Sequence, residues 1–71
     1  MDVYTKLGLK IQNLRREKDW SQEELAFETD LHRTYISHVE GGKRKISLEA
    51  VCKIAKGLGI TPSELIKGIS L

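Results

Sequence analysis

Ser21-Gln22-Glu23-Glu24-Leu25-Ala26-Phe27-Glu28-Thr29-Asp30-Leu31-His32-Arg33-Thr34-Tyr35-Ile36-Ser37-His38-Val39-Glu40 is the stretch from which the fold is read. It reads as two short helices joined by a tight turn at Thr29-Asp30-Leu31. Ser21 opens a capping box: its hydroxyl accepts from the third helical amide while Glu24 reaches back to the Ser21 amide. Leu25 and Ala26 face inward, and Ala26 is small where two helices must approach closely. Asp30 sits where the turn calls for a positive φ, which Asp tolerates better than most residues. On a wheel stepped at about 100° per residue from Arg33, Tyr35, Ile36 and Val39 fall together at roughly 200–300° and face a core. Arg33, Thr34, Ser37 and His38 fall on the opposite side, at roughly 0–140°. All four can hydrogen-bond, and none is acidic.

A helix that packs across a second one with this bias is the helix-turn-helix arrangement, whose second helix can lie in a DNA major groove. The flanking chain supplies a scaffold for it. Upstream, an amphipathic helix is expected over about residues 3–18, with Tyr4, Leu7, Ile11 and Leu14 as its buried stripe. Gly8 lies beside that stripe, where a missing side chain lets another helix come close. Trp20 is read as a lid on the core. Downstream, Gly41-Gly42 permits a left-handed helix end, and Lys43-Arg44-Lys45 follows directly. Ser47 caps a fourth helix of about residues 48–58, with Leu48, Val51, Ala55 and Leu58 as its stripe and Cys52 and Ile54 flanking it, Cys52 half-buried. Gly59 closes that helix. Thr61, Pro62 and Glu64 supply cap, first-turn proline and capping box for a fifth helix of about residues 62–68. No strand is expected.

Seventy-one residues make one domain, small enough that only about 60% of the unfolded surface is buried. Such a core leaves little room for a catalytic pocket, and no small-molecule ligand is expected. The net charge is only +2, but it is unevenly distributed. Residues 1–30 hold five Lys/Arg against seven Asp/Glu, whereas residues 31–71 hold seven against three. The positive part contains the polar helix. One cysteine cannot make an internal disulfide, which suits a reducing cytoplasm. Neither an export signal nor an apolar run near 18 residues is read, so no membrane span is expected.

The sequence resembles a Xre-type helix-turn-helix domain of the phage lambda and 434 repressor class. The resemblance rests on Ser-Gln-Glu-Glu-Leu-Ala at 21–26, Tyr-Ile-Ser-His-Val-Glu-Gly-Gly at 35–42 and Ile-Ala-Lys-Gly-Leu-Gly-Ile-Thr at 54–61. It covers nearly the whole chain. Leu-His-Arg-Thr-Tyr-Ile-Ser at 31–37, with no further domain, makes the controller proteins of restriction–modification systems the nearest subgroup. The implied fold is all-α, five helices in a single lambda-repressor-like domain over residues 1–71, with the helix-turn-helix at about 21–40. Two departures stand out: Asp30 replaces a common turn glycine, and Ile46 stands where a proline is common.

The resemblance implies roles residue by residue. Arg33, Thr34 and His38 match the positions that read base edges. Arg33 has the planar fork for guanine O6 and N7, and Thr34 offers a hydroxyl to a base or a methyl to thymine. His38 can serve a base or a phosphate, or simply be solvated. Gln22 matches the phosphate position at the start of the second helix. Tyr35, Ser37, Lys43, Arg44 and Lys45 are further phosphate candidates, although a basic run is also commonly a solvated loop. Arg15 and Glu40 match an arginine–glutamate pair that fixes the recognition helix in the 434-like members. One such domain reads too few base pairs to be specific, so a homodimer on a roughly palindromic site is expected, with recognition helices about 34 Å apart. Leu65, Ile66, Ile69 and Leu71, on the C-terminal helix and tail, are the candidate dimer interface; the alternative is that they complete the monomer core. Glu49 is a candidate contact for RNA polymerase.

Other chemistries find no support in the residues. His32, His38 and Cys52 lack ligand spacing for zinc, and His32 is better read as the cap of the recognition helix. Ser37 and His38, adjacent on a helix, cannot form a nucleophile–base pair. There is no glycine-rich phosphate loop. No metal, cofactor or enzymatic activity is expected. The expected function is a sequence-specific transcriptional regulator that binds double-stranded DNA; the alternative is a protein-interaction module of the same fold, such as an antitoxin or partner-binding subunit. A hydrophobic recognition face would favour the second.

Overall fold

The computed structural model describes residues 1–71 as five helices with no strand: α1 (Val3–Glu17), α2 (Gln22–Thr29), α3 (Arg33–Glu40), α4 (Leu48–Leu58) and α5 (Pro62–Ile66). Each begins on a side chain that accepts from an otherwise unpaired first-turn amide. Asp2 takes the Thr5 amide at 2.8 Å, and this bond holds its carboxyl below the ordinary carboxylate value. Ser21 and Glu24 form the expected capping box, as do Thr61 and Glu64. His32 caps α3 through Nδ1, which accepts from the Thr34 amide at 3.1 Å. Ser47 caps α4. Asp30 ends α2 in the left-handed region, φ 55°, as the turn requires. Asp19 adopts φ 58° as well, and turns the chain between α1 and α2.

The core is built from Leu7 and Ile11 of α1, Leu25 and Ala26 of α2, Ile36 and Val39 of α3, and Val51, Ile54, Ala55 and Leu58 of α4. Leu65 of α5 closes it, and Trp20 packs at its edge. Full burial of a side chain such as Ile36 or Ile54 contributes about 1.5–3 kcal/mol. α1 lies against α3 and α5, while α2 lies against α3 and α4. Two glycines let helices meet backbone to backbone. A Cβ on Gly8 would fall 2.8 Å from the Glu40 carbonyl oxygen and closer still to that of Val39. A Cβ on Gly57 would fall 3.0 Å from the Glu28 carbonyl oxygen. Gly8 therefore sets how closely the end of α3 rests on α1.

Three expectations are corrected. Leu48 is not in the α4 stripe but 77% exposed. The buried set is Ala50, Val51, Ile54, Ala55 and Leu58, which centres the stripe near Ile54 and leaves Leu48 about 120° from that residue. The same rotation leaves Cys52 exposed. The fifth helix ends at Ile66, and Gly68 takes φ 84° where helix to residue 68 was expected. No helix is long and apolar enough to cross a membrane.

Candidate DNA interface

Amphipathicity orients α3. Ile36 and Val39 are buried and Tyr35 half-buried, so Arg33, Thr34, Ser37 and His38 are exposed together on the other side. Arg33 Nε stands 3.9 Å from Glu23 Oε1, with both side chains largely in water. Such a pair contributes about 0–1 kcal/mol and leaves the guanidinium available. The side chains of Thr34, Ser37 and His38 bond to no other side chain.

The base of this helix is held by a buried network. Arg15 Nε donates to Glu40 Oε2 at 2.7 Å and Nη2 donates to Oε1 at 2.9 Å, a two-pronged pair. The remaining guanidinium nitrogen, Nη1, donates to the Trp20 carbonyl at 2.7 Å. Arg15 is 8% and Glu40 5% exposed. The hydrogen bonds to Glu40 raise the Arg15 pKa further above its ordinary value, against the opposing effect of burial. Gln22 Nε2 also donates to Glu40 Oε1, at 3.1 Å. One amide hydrogen of Gln22 is thus committed to the scaffold, and its second N–H keeps the capacity to meet a phosphate. The start of α2 and the end of α3 are locked to α1 through one carboxylate.

On the far side of α3, Lys43, Arg44 and Lys45 are exposed in the loop before α4. The Arg44 guanidinium lies over the Tyr35 ring, 5.0 Å from its centroid, a cation–π contact that steers a flexible side chain toward the recognition helix. The Tyr35 hydroxyl accepts from the Ser47 amide at 3.3 Å, so its own proton remains to donate. The amide end of α2, the polar face of α3 and the basic loop form a donor-rich front with a buried ion pair behind it.

At the other end of the molecule the candidate interface residues separate. Leu65 is 0% exposed and belongs to the monomer core, so it cannot meet a second chain. Ile66 is 48% exposed, Ile69 half-buried and Leu71 fully exposed. Sequence reasoning missed the Gln22–Glu40 link, the Tyr35–Ser47 bond and two lysines of α1 that reach the C-terminal segment: Lys10 Nζ donates to Glu64 O at 2.7 Å and Lys67 O at 2.8 Å, and Lys6 Nζ to Ser70 O at 2.8 Å. The available signal was the four-residue spacing of Lys6 and Lys10, which puts both on one face of α1.

Comparison with known proteins places this geometry. A helix-turn-helix family model matches residues 11–65. Control protein C.BamHI of Bacillus amyloliquefaciens is 52% identical over 60 residues, covering 83% of this chain and 74% of that protein. Control protein C.MunI of Mycoplasma sp is 51% identical over 69 residues, covering 96% and 93%. Among solved structures, the restriction-modification controller protein C.AhdI from Aeromonas hydrophila superposes with a TM-score of 0.84 at 44% identity, over 87% of this chain and 94% of that one. The controller protein C.Esp1396I, solved as a tetramer with its natural 35 base-pair operator, superposes with a TM-score of 0.87 at 30% identity, over 97% and 91%. The chain belongs to the helix-turn-helix family, in the branch that contains the restriction-modification controller proteins.

Proposed function

We propose that this protein is a transcriptional regulator that binds double-stranded DNA as a homodimer on a roughly palindromic operator and controls a restriction–modification system. The carrying observation is the exposed, acid-free polar face of α3 mounted on the buried Arg15–Glu40 pair. Arg33 and Thr34 read base edges in the major groove, and His38 reads one turn further along. Gln22, Tyr35, Ser37, Lys43, Arg44 and Lys45 hold the phosphate backbone, which sets register and carries no sequence information. The operator complex of C.Esp1396I supports DNA as the partner and an oligomer as the bound form. Ile66, Ile69 and Leu71 supply the apolar contact between copies. Glu49, exposed in the first turn of α4, is the residue we assign to RNA polymerase. The protein acts in the cytoplasm, by binding rather than catalysis.

Selection of binding sites from random duplex DNA at near-physiological salt tests this. A two-fold symmetric site, altered at one base per half-site in Arg33→Ala, supports the reading. No enriched sequence from demonstrably folded protein overturns it and turns attention to a protein ligand on the same helix.

A further inference from the structure

α5 is the shortest helix in the chain. It has five residues, and unlike the other four helices its C-cap amide, that of Lys67, closes on no helix carbonyl. The chain leaves the helix at Lys67, ψ 130°, and the only backbone bond beyond it runs from the Ile69 amide to Ile66 O at 3.0 Å. An isolated helix this short does not persist in water. Leu65 anchors it from below, and from above the carbonyls of residues 64, 67 and 70 are taken by Lys10 and Lys6. The two lysines lie one turn apart on α1 and are both half-buried. Like charges at this spacing repel, and none of the ion pairs in the structure involves either lysine. The partners that hold the ammonium groups in place are backbone carbonyls at and beyond a helix C-terminus, where a positive charge is favoured.

We infer that Lys6 and Lys10 are positioning residues of the homodimer. They fasten the C-terminal segment to α1 and so aim Ile66, Ile69 and Leu71 at the second copy, without touching DNA. The inference rests on the reading of this apolar end as the dimer contact. Its physical content is entropic. Residues 67–71 have no regular secondary structure of their own, and a contact surface ordered before association loses less freedom on binding. Each clamp acts twice in a symmetric dimer.

The test is sedimentation equilibrium of the full chain in four forms: parent, Lys6→Met/Lys10→Met, Lys10→Arg and Ile66→Glu. Methionine keeps the aliphatic stem and removes the ammonium; Ile66→Glu reports on the interface itself. The double methionine variant is expected to raise the dimer Kd roughly tenfold, because the C-terminal segment of each copy must then be ordered at the moment of association. Lys10→Arg is expected to restore most of the affinity. Amide exchange separates positioning from general loss of fold: Ile69 exchanges faster while Leu25 and Ile54 keep their protection. An unchanged Kd in the methionine variant, with Ile66→Glu dissociated, overturns the clamp and leaves the interface standing. A dimer that survives Ile66→Glu overturns the interface, and the clamp with it. Weaker DNA binding at unchanged dimer Kd also overturns the inference, because it makes these lysines phosphate ligands.

Discussion

Replacing Arg15 by methionine isolates the network on which the recognition helix stands. The substitution keeps most of the aliphatic stem and removes all three guanidinium hydrogen bonds. Glu40, 5% exposed, then keeps only the Gln22 amide at 3.1 Å, and the Trp20 carbonyl loses its 2.7 Å donor. Breaking a buried pair from one side costs about 3–5 kcal/mol, because the surviving charge stays desolvated. A domain of 71 residues has roughly 4–10 kcal/mol of stability in all, at about 0.05–0.15 kcal/mol per residue. The variant is thus close to the limit of folding, with a Tm lower by on the order of 20 °C. The assay is thermal unfolding followed by circular dichroism, at matched protein concentration because dimerisation adds to apparent stability. Glu40→Met should cost a comparable amount, and the double variant less than the sum by about 2 kcal/mol, since it leaves no charge stranded. A loss below about 1 kcal/mol in Arg15→Met, or additivity within about 0.5 kcal/mol, would refute the argument that this pair holds α3 in place.

Three further predictions concern the scaffold, the basic loop and the caps. Gly8→Ala should destabilise by about 1–3 kcal/mol in denaturant unfolding, because the new methyl meets the carbonyls of Val39 and Glu40, which are backbone and cannot rotate away; DNA affinity should fall as well, since those carbonyls end the recognition helix. Alanine at Lys43, Arg44 and Lys45 together should weaken binding about equally across sequences and flatten the slope of log K against log salt by about 0.9 for each phosphate no longer neutralised, read from titrations at several salt concentrations. Asp2 and Glu64 have carboxyls held below their ordinary values of 3.8 and 4.5 by bonds from the Thr5 and Thr61 backbone amides, so their contribution is present above those values and lost as pH falls below them. Urea midpoints measured from pH 7 to pH 3 should therefore show Asp2→Asn/Glu64→Gln with a shallower acid loss than the parent.

The local chemistry of the chain was legible residue by residue. Ser21 with Glu24, and Thr61 with Pro62 and Glu64, announce helix starts because capping is satisfied within one turn. The left-handed Asp30 follows from turn geometry, and the polar face of α3 follows from its apolar one. Arg15 and Glu40 lie 25 positions apart, so no spacing rule joins them; the family resemblance did. What stayed hidden depends on the neighbour a helix meets. α4 carries apolar residues around more than half its circumference, and only its packing on α2 and α5 decides that Ile54 is central and that Leu48 and Cys52 are outside. Leu65 and Ile66 are adjacent and chemically alike, yet one is core and the other surface. Lys10 meets carbonyls 54 and 57 positions away, an interaction that a lysine in a polar context does not advertise.

The exposure of Arg33, Thr34 and His38 has a consequence for how such a chain diverges. None of the three fills the core or belongs to the buried network, so on the base-reading role proposed for them exchanging them would alter which operator is read at a stability change of about 0.5 kcal/mol or less. Glu40, in the same helix, has no such freedom. Duplicated copies can therefore drift to different operators through a few surface codons while inheriting one scaffold unchanged, and two regulators of this build can share a cell without answering each other's sites.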